Sequence, residues 1–123
     1  MIRLLVVDDA PFIREIVRHA IRNSEIEVIA EAEDGVEAVQ LTRELKPDVV
    51  LMDIVLPEKN GIEATREILA ENPKVRVIAF STNDHEAIVV KALEAGCCSF
   101  IVKPFQANEL IEAIEQAVQS ESA

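Results

Sequence analysis

The sequence predicts a doubly wound α/β fold with a five-stranded parallel sheet, and three observations carry that expectation. Short apolar runs alternate five times with amphipathic stretches of helical spacing, joined by short links, the pattern of strands connected by right-handed helical crossovers. The first run, 4–7, is apolar throughout and the central run, 49–57, is apolar but for Asp53, as in strands buried on both faces. Aromatic residues are scarce, four Phe with no Trp or Tyr, while half the residues are apolar. The core is therefore built from Val, Ile, Leu and Ala, which suits a sheet covered by helices. At 123 residues, the chain 1–123 reads as a single domain.

Residues 4–7 form the first strand, ending at Asp8-Asp9, and Pro11 is a natural first residue of a helix. In that helix Phe12, Ile13, Ile16, Val17, Ala20 and Ile21 share one face, with Arg14, Glu15, Arg18, His19 and Arg22 on the other. The second strand is 27–33, and Asp34-Gly35 turns it into a helix with Ala38, Leu41, Thr42 and Leu45 inward, stopped by Lys46-Pro47. Residues 49–57 are the central run, an apolar strand closed by Pro57 and interrupted by one carboxylate, Asp53, where it emerges. Asn60-Gly61 opens a third helix through Ile62, Thr65, Ile68 and Leu69, ended by Asn72-Pro73.

The fourth strand, 75–80, runs into Ser81-Thr82-Asn83-Asp84. A helix over 86–95 follows, capped by Gly96 where a left-handed residue is wanted. Its Ile88, Val89, Val90 and Leu93 cannot all face the sheet, so at least one should be exposed. The fifth strand, 99–102, is broken by Lys103-Pro104. Leu110, Ile111, Ile114, Ala117 and Val118 stripe the last helix, entered past Gln106, a poor N-cap, and 119–123 should fray.

With 23 acidic against 12 basic residues the net charge is −11. That balance argues against sequence-independent binding of nucleic acid or anionic membrane and favours a basic partner or a bound cation. Met1 leads at once into an apolar strand and two acids, unlike a secretory signal. No apolar run approaches the roughly eighteen residues of a membrane span, so no membrane insertion and a cytoplasmic location are expected. Cys97 and Cys98 are adjacent and cannot staple distant parts of a fold, so they read as two reduced residues entering a strand. His19 and His85 read as solvated surface residues.

In a doubly wound sheet the ligand crevice lies beyond the carboxyl ends of the strands, and the polar residues accumulate there. Asp8 and Asp9 follow the first strand, Asp53 the third, Ser81 and Thr82 the fourth, Lys103 the fifth. Two like charges about 4 Å apart repel by roughly 4 kcal/mol at an effective dielectric near 20, so three crowded carboxylates need compensation. Oxygen-only ligands without histidine or thiol point to Mg²⁺, which also accepts water and phosphate. If a phosphoryl group completes the site, Asp8 and Asp9 serve the cation and Asp53 attacks phosphorus. Lys103 and Ser81 then contact the phosphoryl oxygens. Before reaction Lys103 should pair with Asp53 and keep it ionised.

Asp8-Asp9, the segment Asp53-Ile54-Val55-Leu56-Pro57 with Asn60-Gly61, Ser81-Thr82 and Lys103-Pro104-Phe105 together resemble the receiver domain of bacterial two-component response regulators. The likeness runs from residue 2 to about 118. It implies the strand order 2-1-3-4-5 of the flavodoxin-like, CheY-like (βα)5 sheet, phosphotransfer to Asp53 from a sensor histidine kinase or phosphotransfer protein, and a cis peptide before Pro104. It also implies that Val55 lends its backbone carbonyl to Mg²⁺. Phosphorylation would draw the hydroxyl of Ser81 inward and let Phe100, the switch aromatic, turn; Phe100 reads equally as an ordinary core residue. The surface that changes, fourth helix, fifth strand and fifth helix, would meet a downstream target, with the protein a monomer or a weak phosphorylation-dependent dimer. Such a domain promotes its own phosphorylation and dephosphorylation and is not a turnover enzyme.

Val55 is apolar where a polar side chain often helps place the attacking water, while Asn83, two residues after Ser81, is polar. Slow loss of the phosphoryl group is therefore expected. Four readings compete: a stand-alone receiver of chemotaxis or phosphorelay type, a receiver from a longer DNA-binding or enzymatic regulator, a Mg²⁺ phosphohydrolase, and a flavin binder. The phosphohydrolase usually separates its nucleophilic Asp from the second acid by two positions, whereas Asp8 and Asp9 are adjacent. The flavin site wants a hydroxyl-rich phosphate loop, and Asp8-Asp9-Ala10-Pro11 supplies negative charge instead.

Overall fold

The computed structural model describes residues 1–82 and 84–119; Asn83 and 120–123 lie outside them. The chain alternates β1 (Ile2–Val7), α1 (Pro11–Ala20), β2 (Ile26–Ala32), α2 (Gly35–Leu45), β3 (Val49–Asp53), α3 (Gly61–Glu71), β4 (Arg76–Ser81), α4 (Glu86–Ala95), β5 (Ser99–Val102) and α5 (Ala107–Gln119). All five strands pair in parallel in the order β2-β1-β3-β4-β5, as the resemblance implies. Val7 lies beside Met52, Asp53 beside Phe80 and Ser81 beside Val102, so the carboxyl ends of the strands form one rim.

The sheet divides the core in two. On one face Val17 and Ile21 of the α1 region and Leu110, Ile114 and Ala117 of α5 pack on Leu4, Val6, Leu51, Ile78 and Phe80. On the other Ala38, Val39, Ala64, Ile68 and Ala92, from α2, α3 and α4, pack on Leu5, Val7, Val50, Met52, Val77 and Ala79. Successive strand residues point to opposite faces, which is why the central strands need apolar residues at every position. Side-chain caps start two helices: Asp34 accepts from the Glu37 amide at 2.8 Å and Asn60 from the Glu63 amide at 2.9 Å. Among the described residues no helix is long and apolar enough to cross a membrane.

Several boundaries and faces differ from the sequence reading. The central strand stops at Asp53 rather than continuing to Pro57, because the Gly61 amide takes the Ile54 carbonyl at 2.9 Å and turns the chain. β1 begins two residues early, its Ile2 amide donating to the Glu25 carbonyl at 2.7 Å, and β4 is shifted by one to end on Ser81. Gln119, read as tail, is the last residue of α5. Gln106 stands immediately before α5, its carbonyl accepting from Leu110.

On α1, Phe12 is 69 % exposed instead of buried, and Arg14 is half-buried instead of solvated. At 100° per residue Phe12 lies roughly 120° from the centre of the arc through Ile13, Val17, Ala20 and Ile21, and Arg14 roughly 80°. On α4, Val90 and Leu93 are exposed, as anticipated. Cys97 is buried, Cys98 exposed, and both are free.

Candidate active site

Asp53 is the last residue of β3, 5 % exposed. The strand end is fixed from two sides: the Ile54 amide donates to the Phe80 carbonyl at 3.2 Å, and the Val55 amide to Asp53 Oδ1 at 3.1 Å. Gly61 makes this turn possible. A Cβ there would stand 2.0 Å from the Asp53 carbonyl oxygen, so only glycine lets α3 start against the strand end.

Asp8 follows β1 and is buried, with every polar atom engaged. Its amide donates to the Ala32 carbonyl at 3.0 Å, its carbonyl accepts from Arg14 Nη1 at 2.7 Å, Oδ1 accepts from the Ala10 amide at 2.9 Å and Oδ2 from Lys103 Nζ at 2.5 Å. Asp9 is exposed, yet Asp8, Asp9 and Asp53 each bring a carboxylate oxygen within 4.8 Å of the others.

Lys103 reaches this cluster from the end of β5, its amide donating to the Ser81 carbonyl at 2.9 Å. Its ammonium lies 3.4 Å from Asp53 Oδ2 and 4.5 Å from the centroid of the Phe80 ring, which packs edge-on against Phe105 at 5.5 Å. The Lys103-Pro104 peptide is cis. The pairing expected between Lys103 and Asp53 is therefore the weaker of two, since Asp8 holds the ammonium at the shorter distance. Burial pushes the Asp53 carboxyl up to about 6, Lys103 opposing the rise and Asp8 adding to it. Asp53 remains mainly ionised at neutral pH, although its charge is less protected than the sequence led one to expect.

Ser81 ends β4 and is 2 % exposed. Phe100 sits on β5 beside Ala79 and packs, half-buried, on the apolar cluster beneath α4. The Val55 side chain is 69 % exposed, and Asn83 lies outside the described residues. Asp8, Asp53 and Lys103 thus meet directly, Asp9 brings a carboxylate oxygen within 4.8 Å of the other two acids, and Ser81 joins them through the backbone of Lys103.

Sequence reasoning missed three contributors. In the sequence Arg14 falls on the solvated face, Gly61 signals only a helix start, and Phe80 is one more apolar strand residue. The spacing of Arg14 from the buried arc was a usable signal; the close approach at Gly61 and the ring under Lys103 depend on pairing between distant segments.

The donor set fits a small hard dication. Three carboxylate oxygens converge without histidine or thiol. A cation supplied there, with phosphate as a further ligand, would make the cluster a phosphoryl-transfer site.

The comparisons agree with this geometry. The family model for the response regulator receiver domain matches residues 4–115. The chemotaxis protein CheY of Listeria monocytogenes is 45 % identical over 119 residues, spanning 97 % of this chain and 100 % of that protein. The response regulator domain of Thermotoga maritima CheB superposes with a TM-score of 0.91 at 41 % identity, covering 98 % of each chain. The receiver domain of the sensor histidine kinase PA1611 from Pseudomonas aeruginosa, described with a magnesium ion coordinated in its active-site cleft, matches with a TM-score of 0.87 at 30 % identity, over 96 % of this chain and 98 % of that one. The chain belongs to the receiver domain family of two-component response regulators.

Proposed function

We propose that the chain is a phosphorylation-dependent switch whose phosphoacceptor is Asp53. The observation that carries this reading is the convergence of the Asp8, Asp9 and Asp53 carboxylates within 4.8 Å, with the Lys103 ammonium against two of them. A carboxylate oxygen of Asp53 attacks the phosphorus of a phosphohistidine on a sensor histidine kinase or phosphotransfer protein. The P–N bond breaks, and the imidazole leaves with the bonding pair and takes a proton. Asp8, Asp9, Asp53 and the backbone carbonyl of Val55 are the residues that would hold Mg²⁺, whose contribution is to neutralise charge on the phosphoryl oxygens. Lys103 adds its own charge to those oxygens.

The output follows from the same rim. Ser81 moves toward the new phosphoryl group, Phe100 turns, and the surface of α4, β5 and α5 changes for a downstream protein. Val55 and Asn83 set how fast water removes the phosphoryl group. We read 1–123 as a single receiver domain acting alone, in chemotaxis or a phosphorelay, in the cytoplasm, as a monomer or weak phosphorylation-dependent dimer. In this reading it turns over no other substrate and contacts no nucleic acid directly. The likeness to the response regulator domain of CheB supports a second reading, a receiver within a longer regulator, which the mass of the full gene product would separate from the first. The primary test is Mg²⁺-dependent labelling with a small phosphodonor. Asp53→Asn should abolish it, and label that survives the substitution refutes the acceptor.

A further inference from the structure

We propose that Arg14 is a positioning residue for the two acids of the first loop, acting through the Asp8 carbonyl; this rests on the reading of Asp8 and Asp9 as metal ligands. Arg14 leaves the solvated face of α1 and is 12 % exposed. Its guanidinium works in two directions. Nη1 donates to the Asp8 carbonyl at 2.7 Å, while Nε donates to Glu31 Oε1 on β2 at 2.8 Å and Nη2 faces Glu33 Oε1 at 3.7 Å. The planar fork of arginine fixes the angle between those donors, so Glu31 on β2, with Glu33 just beyond it, determines where Nη1 points.

The target matters more than the bond. The Asp8 carbonyl belongs to the peptide that joins Asp8 to Asp9, so anchoring it orients the backbone from which both carboxylates project. Asp8 has other restraints, through the Ala32 carbonyl, the Ala10 amide and Lys103. The Asp9 side chain is exposed, and the peptide in front of it is held by Arg14. Arg18 offers an internal comparison: it also pairs with Glu31, but the hydrogen bond to Asp8 comes from Arg14. The positions of the two arginines on α1 therefore separate bracing of β2 from aiming of the loop.

The test titrates Mg²⁺ by calorimetry into wild type, Arg14→Ala, Arg14→Lys, Arg18→Ala and Asp53→Asn, with urea midpoints measured in parallel. Outer-shell partners of metal ligands typically account for about 10- to 100-fold in affinity. Arg14→Ala should therefore raise the Kd for Mg²⁺ about tenfold, with the labelling rate largely restored at saturating Mg²⁺. Arg14→Lys, which retains the charge without the fork, should lie in between, and Arg18→Ala should leave the Kd near wild type. Equal Kd values for Arg14→Ala, or for Arg14→Lys where the alanine variant does not fold, and Arg18→Ala overturn the proposal. If Asp53→Asn binds Mg²⁺ as tightly as wild type, the metal-site reading itself has failed, and that outcome is distinct.

Discussion

Asp8 and Asp53 are two buried acids at adjacent strand ends sharing one ammonium, and they are treated very differently. Asp8 has a partner on each carboxylate oxygen, the Ala10 amide at 2.9 Å and Lys103 at 2.5 Å. Asp53 has the Val55 amide at 3.1 Å and the same Lys103 at 3.4 Å, and burial leaves its carboxyl titrating near 6. The first acid is built into the loop. The second is held by longer contacts on both oxygens, which suits the phosphoacceptor role proposed for it, because a carboxylate locked into short hydrogen bonds has little to offer an incoming phosphorus. The difference lies in reach: the ammonium, 4.5 Å from the centroid of the Phe80 ring, stands 2.5 Å from Asp8 and 3.4 Å from Asp53.

The largest way to disturb this comparison is Lys103→Met, which removes the shared cation. Breaking a buried ion pair from one side typically costs about 3–5 kcal/mol, and here two carboxylates lose their partner, so stability at pH 8 should fall by about 3 kcal/mol. The Asp53 carboxyl, raised by burial and held back by Lys103, would then titrate still higher in the folded protein. Stability of that kind is present at low pH and lost as pH rises through the folded value. The deficit should therefore shrink toward pH 5 in urea denaturation, and an equal deficit at pH 5 and pH 8 would show that Lys103 acts through packing alone.

Asp53→Asn should act in the opposite direction. With the folded carboxyl near 6 against an ordinary 3.8, Asp53 contributes stability below about pH 4 that is lost as pH rises through 6. Replacing it with a neutral amide should therefore stabilise the metal-free protein at pH 8, by up to about 3 kcal/mol, because the raised value already includes the attraction to Lys103. The gain should vanish by pH 4. Asp8→Asn, which gives up the shorter contact to Lys103, should gain nothing at either pH. If the two variants behave alike in urea melts, the two acids are not distinguished as their distances indicate.

Much of this was legible in the residues. The runs of the first, third, fourth and fifth strands, each ending in a polar residue, place Asp8, Asp9, Asp53, Ser81 and Lys103 at one rim of a parallel sheet. The strand order was not legible from periodicity, because hydrophobic spacing reports which face is buried and not which strand lies alongside. It came from the motif resemblance. What stayed hidden depends on contacts between segments far apart in sequence: Gly61 against the Asp53 carbonyl, Phe80 beneath Lys103, and the choice of Lys103 between Asp8 and Asp53. Phe12 was misplaced for a more local reason, since hydrophobicity alone marked it as inward although its helical angle carries it past the edge of the buried arc.

The smallest structural perturbation bears on chemistry alone. Val55 lies two residues past Asp53, its amide bonded to Asp53 Oδ1 and its side chain 69 % exposed. An apolar group there gives an attacking water no hydrogen-bond partner, while the fold loses little if it is changed. Val55→Asn should leave the urea midpoint within about 0.5 kcal/mol of wild type, as exposed substitutions generally do. It should also shorten the aspartyl-phosphate lifetime several-fold, because a side-chain amide can orient the water toward phosphorus. The measurement is the decay of label after removal of the phosphodonor. A shortened lifetime at unchanged stability would place control of dephosphorylation on the solvent side of Asp53, apart from the Asp8 side that anchors the site; an unchanged lifetime would mean that water reaches phosphorus by a path Val55 does not border.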